Sequence, residues 1–161
     1  MTNAPPVTDD RGPWEDEHSS YPEQGAAYFE LKEGPDGRPQ FPFDLEERTS
    51  KFGEAIIRFT KKIPRSPGND RIIGQLVGCG TSVGANYCEA DEAVSKKEFA
   101  VKIGTCKKEA RESRFFLRMT ATAEPGLKDE ARVLWQEARE LHLIFAKIYR
   151  TCKEGRSGNE Q

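Results

Sequence analysis

The stretch LKDEARVLWQEARELHLIFAKIYR, residues 127–150, sets Ala131, Leu134, Ala138, Leu141, Phe145 and Ile148 at alternating gaps of three and four. That period lays them on one stripe of an α-helix, with the Glu, Arg and Lys side chains on the remaining surface. Upstream the same spacing returns three times. Leu45, Thr49, Phe52, Ile56, Phe59 and Ile63 mark a first helix, opened by Asp44 as cap with Glu47 in the reciprocal position, and stopped by Pro64 and Pro67-Gly68. A second opens at Asn69 or Asp70 and carries Ile72, Leu76, Cys79, Val83 and Tyr87. Ser95 and Glu98 form a capping box for the third, which follows with Phe99, Ile103, Cys106, Ala110, Ser113 and Leu117 and ends at Pro125-Gly126. The fourth helix frays from Glu154 through Gly158. Short connections leave sequential helices as neighbours, so the expected fold is all-α, an antiparallel up-down-up-down four-helix bundle over residues 44–153 with a disordered tail at 154–161.

Residues 1–43 read differently. Cut after Asp44, the first part of the 161-residue chain holds ten acidic against three basic side chains, and the remainder 22 basic against 17 acidic. The near-neutral total of −2 thus hides an acidic leader and a basic bundle. The leader carries seven of the ten prolines and too little apolar surface to offset chain entropy, so it is expected to be mostly disordered. Gly34-Pro35-Asp36-Gly37 is a turn-forming string, and a short hairpin at 26–43 could lay Tyr28, Phe29, Phe41 and Phe43 on the main domain. No apolar run is long enough to span a membrane, and Met1–Asp10 lacks a basic patch followed by an apolar stretch; a cytoplasmic protein is the expectation. Cys79, Cys88, Cys106 and Cys152 have neither zinc-knuckle spacing nor the setting of a disulfide framework and read as reduced thiols.

Within the second helix, Gly74, Gly78, Gly80 and Gly84 each cost on the order of 1 kcal/mol relative to Ala, and close approach of a neighbouring helix is the expected compensation. A dinucleotide fingerprint is a poor alternative, because the third glycine falls one residue late and no strand precedes it. The run Gly80-Thr81-Ser82-Val83-Gly84-Ala85-Asn86-Tyr87 followed by Glu89-Ala90 resembles the signature of the four-helix-bundle proteins encoded in 23S ribosomal RNA intervening sequences. Gln75-Leu76, Ser95 to Phe99, Lys108-Glu109-Ala110 with Glu112, and Glu140-Leu141 resemble the same family in the expected order. A more distant likeness is to the accessory variability proteins of diversity-generating retroelements. The resemblance implies a homopentamer, no known catalytic activity, association with nucleic acid and, for the retroelement relatives, a reverse transcriptase partner. The acidic leader is extra to the family pattern. Thr81, Ser82, Asn86 and Glu89, the family signature, are expected to be structural polar groups satisfied by backbone or by one another.

Chemistry is sparse. A di-iron bundle needs Glu-x-x-His on each of two helices, whereas the only helical histidine is His142 with Glu140 at minus two. No nucleophile is activated locally, so no catalytic residue, metal or cofactor is expected. The third helix holds eight basic against three acidic residues between Lys96 and Arg118. Lys97, Lys107, Arg111, Arg114 and Arg118 fall on one stripe, the last four extending about 16 Å, a spacing suited to a polyanion. On the fourth helix Trp135, His142 and Tyr149 recur every seven residues beside the seam, and with Phe116 form the candidate subunit interface. The leading expectation is a non-enzymatic homo-oligomeric bundle that binds RNA or DNA through the third-helix stripe. The alternative is a protein-binding adaptor, such as an accessory subunit of a reverse transcriptase, without direct nucleic-acid contact.

Overall fold

The computed structural model describes residues 32–33, 39–40 and 44–157. A two-rung antiparallel ladder pairs β1 (Lys32–Glu33) with β2 (Pro39–Gln40), Lys32 facing Gln40 and Glu33 facing Pro39. The expectations of disorder in the leader and of a docked Tyr28, Phe29, Phe41 and Phe43 fall outside the described residues. Four helices follow: α1 (Leu45–Thr60), α2 (Pro67–Asp91), α3 (Lys96–Ala123) and, after a 3-10 turn at Pro125–Leu127, α4 (Lys128–Ser157).

The caps explain the boundaries. Asp44 accepts from the Glu47 amide at 2.9 Å and Ser95 from the Glu98 amide at 3.1 Å, while the Glu98 carboxylate reaches back to the Val94 amide. The start of α2 differs from the expected Asn69 or Asp70. Ser66 is the cap, its hydroxyl accepting from the Asn69 amide at 3.1 Å, and Pro67 stands at the first helical position. A proline there gives up an amide that would have had no helical partner anyway. Asn69 instead becomes a strut: its Nδ2 donates to the Pro64 carbonyl at 2.9 Å and to Glu124 Oε1 at 2.7 Å, tying the α1–α2 connection to the end of α3. The last helix continues through Ser157, beyond the expected stop at 153. Gly155 weakens a helix by only ~1 kcal/mol, which the preceding turns carry.

Successive helices are antiparallel, because partner numbers fall on one as they rise on the other. Thr49 lies against Gly84 and Ile56 against Gly80; Lys102 pairs with Glu89, and Ser113 donates to Cys79 Sγ at 3.3 Å; His142 meets Lys107, and Trp135 meets Arg114. Helix α4 closes on α1 in the same antiparallel sense, with Arg48 paired to Glu137 and Lys62 to Glu130.

All six residues of the first expected seam are buried, Leu45 through Phe59 on α1 and Ile63 just past its end at Thr60, and the interior is built on Phe59, Phe145, Leu45, Ile56, Leu76, Ile103, Leu117, Leu141 and Ile148. Three expectations shift by one position or soften. Ile72 is half-buried; Ala100 is buried in place of Phe99; and Trp135 is buried, 6% exposed, while Leu134 lies half-exposed on the α1 side. In the last two pairs the stripe drifts around the helix, since 3.6 residues per turn does not match alternating gaps of three and four indefinitely.

The α2 glycines divide. A Cβ on Gly80 would stand 2.9 Å from two side-chain carbons of the fully buried Ile56, and one on Gly84 would stand 3.3 Å from Thr49 Oγ1. Close approach of α1 accounts for these two. Among the described residues Gly74 and Gly78 meet nothing within 4 Å, so contact with a neighbouring helix of this chain does not explain them. Gly80→Ala should therefore lower stability by about 1–3 kcal/mol, whereas Gly74→Ala should raise it by up to ~1 kcal/mol. Thermal or urea unfolding of the two variants beside the wild type checks both signs.

Candidate nucleic-acid interface

Helix α3 is the most basic element, and its neighbours sort its cations into two sets. Lys107 and Arg114 turn toward α4: the Lys107 ammonium sits 4.7 Å from the centre of the Tyr149 ring, and the Arg114 guanidinium 4.4 Å from that of Trp135. These are cation–π contacts that also cover apolar ring surface. Gly104 makes the first one possible, since a Cβ there would come within 3.1 Å of the Tyr149 ring. Lys102 is held by Glu89. Lys97, Arg111 and Arg118 are exposed, and no carboxylate among the described residues forms an ion pair with any of them.

The expected stripe of five is thus a pair packed on α4 and an outward set of three. The outward set has a fourth member, Lys108, that the spacing argument missed. At 100° per residue Lys97, Lys108, Arg111 and Arg118 share an arc of about 80°. Centring the helical wheel on the buried Cys106, Ala110, Ser113 and Leu117 would have found Lys108, since it lies directly opposite them. Glu98, Glu109 and Glu112 occupy the far shoulder of the same helix. Burial, and after it the nearby Glu112 charge, push the Glu109 carboxyl up from its ordinary range.

The aromatic candidates for a subunit contact are engaged within their own chain. Trp135 belongs to the core of the bundle rather than being surplus to it, and Tyr149 and His142 are half-buried against α3. The His142 Nδ1–H donates to the Lys107 carbonyl at 3.0 Å. Phe116 is half-buried and packs edge-to-face with Phe115, ring centres 5.1 Å apart. It is Phe115, which the spacing argument passed over, that faces out, at 55% exposure; Val101, Val133 and Leu143 are the other large apolar side chains most exposed on α3 and α4.

The signature residues have local partners. Thr81 Oγ1 donates to the Val77 carbonyl at 2.7 Å, and Asn86 Nδ2 donates to the Ser82 carbonyl at 2.9 Å. Glu89 takes its partner from α3, as Lys102. Ser82 is half-buried on the same helix.

Cys79 and Cys106 are buried, and burial pushes their thiols up to about 11 and about 12, away from a reactive thiolate at neutral pH. Among the described residues no group of three or more His, Cys, Asp or Glu could hold a metal ion, and no helix is long and apolar enough to cross a membrane. Across the opposite seam, Arg48 Nε and Nη2 donate to the two Glu137 carboxylate oxygens at 2.7 and 2.8 Å, and Nη2 also to Glu140 at 2.6 Å. This clamp lies beside a groove of about 440 Å³ between α1 and α4, floored by Phe52, Ala55, Val133 and Leu134.

Burial lowers the His142 pKa below its ordinary 6.5, and Arg114, Arg111 and Lys107 lower it further, against the contrary pull of the Lys107 carbonyl. The folded protein therefore holds this imidazole neutral, and the unfolded chain takes up the proton first as pH falls. Its contribution to stability is complete above the unfolded value of 6.5 and is lost as pH drops from there toward the folded value. His142→Gln should flatten the fall in melting temperature below pH 6.5 relative to wild type, as melts on a pH series will show.

A solved structure supplies a likeness in fold. The crystal structure of a protein of unknown function from the S23 ribosomal protein family of Bacteroides thetaiotaomicron superposes with a TM-score of 0.60 at 23% sequence identity, over 66% of this chain and 95% of that one. No curated protein matches the chain. The family model described as 23S rRNA-intervening sequence protein matches residues 43–147. With most of the helical region inside that match, the chain belongs to the 23S rRNA-intervening sequence protein family.

Proposed function

We propose that this protein is a non-enzymatic, cytoplasmic nucleic-acid-binding bundle that acts as a homo-oligomer, a pentamer on the family pattern, and presents the outer face of α3 to a phosphate backbone. One observation carries this reading: Lys97, Lys108, Arg111 and Arg118 stand in a row, exposed and without carboxylate partners among the described residues. Four like charges on one arc repel one another, and a polyanion relieves that repulsion while releasing its own condensed counterions. Repetition of the row around an oligomer would multiply the affinity of each copy. Membership of a family named for an intervening sequence of 23S rRNA supports the choice of RNA or DNA as the polyanion.

A second reading, a protein-binding adaptor such as an accessory subunit of a reverse transcriptase, draws its support from the α1–α4 groove and from Val133 and Leu143 on the outside of α4. Exposed apolar surface of this kind suits a protein partner better than a phosphate chain.

Charge reversal separates the two. Lys97→Glu, Arg111→Glu and Arg118→Glu together should abolish retention on RNA or DNA at low salt with the helical melt unchanged, because all three side chains are exposed. Wild type should lose affinity steeply between about 50 and 200 mM salt. A wild type that purifies without nucleic acid and binds neither polymer at low salt overturns the reading in favour of the adaptor. In this account the acidic leader is a tethered competitor for the row, so deletion of residues 1–40 should tighten binding at low salt and change it little at high salt.

A further inference from the structure

We propose that the outer face of α3 takes single-stranded nucleic acid, with the Phe115 ring as the platform on which an unpaired base stacks and Arg111 and Arg118 on the flanking phosphates. The proposal rests on the nucleic-acid reading above and narrows it to a strand class.

Phe115 is the starting point. It is 55% exposed in the middle of the most basic face of the chain, four residues after Arg111 and three before Arg118, so the three side chains form one continuous ridge. Phosphate contact alone has no use for a phenyl ring there, and water disfavours it. The ring is backed on one side by an edge-to-face contact with Phe116, which is itself half-buried. Val101, between Lys97 and Lys108 in sequence and about 20° past Lys108 around the helix, is 59% exposed, which continues the alternation of cation and apolar side chain toward the start of the helix. Basic side chains interleaved with an aromatic are the means by which proteins hold single strands: the cations follow the backbone and the ring takes a base.

A duplex fits this face less well. Its base faces are stacked on one another and closed to Phe115, so the ring would gain nothing from it. Arg111 and Arg118 are able to reach guanine edges in a major groove, but a duplex held that way still leaves the Phe115 ring without a partner. The expected specificity is therefore for strand state and not for sequence.

The test uses the full chain and fluorescently labelled RNA and DNA strands of about 20 nucleotides, longer than the ~4–16 nucleotides a single-strand site covers, each alone and annealed to its complement. Anisotropy titrations should show Phe115→Ala weakening single-strand binding roughly tenfold while leaving duplex affinity and the salt dependence unchanged, and Phe115→Trp retaining the wild-type affinity. Arg111→Gln with Arg118→Gln should weaken both strand classes and reduce the single-strand salt slope by about 1.4. If Phe115→Ala leaves single-strand affinity intact while the arginine pair still matters, the platform is wrong and the broader nucleic-acid reading stands. If wild type binds no strand at about 50 mM salt, both fall. If Phe115→Ala changes the subunit count by light scattering while affinity per subunit holds, the ring belongs to a contact between copies and the proposal is overturned.

Discussion

Helix α4 lies along one flank of α3 and presses Trp135, His142 and Tyr149 onto it, and that seam decides what the rest of the molecule can offer. Arg114 and Lys107 are drawn onto the two larger rings, and His142 takes the Lys107 carbonyl. With those cations committed to packing, the charges left outside are the ones on the adjoining outer arc: Lys97, Lys108, Arg111 and Arg118. A helix with a net surplus of five positive charges thereby becomes a structural flank and an exposed row. The two roles are separated by about a quarter turn. Loss of a cation from the flank removes apolar cover and a ring contact, while loss of one from the row removes only field.

The other seams use different means to the same end. Between α1 and α2 the backbones come close enough that Gly80 leaves no room for a methyl group beside Ile56. Between α2 and α3 the contact is carried by Cys79 with Ser113 and by Glu89 with Lys102. The Thr81 and Asn86 side chains likewise turn to carbonyls of their own helix. What distinguishes this bundle chemically lies on its outside.

Much of the fold was legible because a 3.6-residue period in α1 and in the second half of α4 leaves little choice of face; Leu45 through Ile63 and Leu141 through Ile148 are buried as their spacing requires. The reading slipped where two neighbouring residues could both fill the seam. At Leu134 and Trp135 the larger ring took the interior, where Arg114 could cover it, and no local pattern announces that choice. Pro67 was read as a stop and is a start, because the same ring that ends a helix also suits its first position. The site was half legible. Composition pointed to α3 as the candidate, but which of its cations face out depends on partners on α4, some 20 to 40 residues away, and single-helix spacing cannot see them. Phe115 was overlooked for the same reason: two adjacent phenylalanines leave open which one turns inward until the neighbouring helices are in place.

The Arg48 clamp has a temporal consequence. Its acceptors, Glu137 and Glu140, lie 89 and 92 residues further along the chain. A ribosome adding about 5–20 residues per second needs roughly 5–18 s to make that stretch. During that interval α1, α2 and α3 can assemble on one another, yet the edge of α1 that holds Phe52 and Ala55 has nothing to close against. Helix α1 is therefore made well before the partner that seals it, and for several seconds of every synthesis the nascent chain carries an open, sticky margin that α4 later covers.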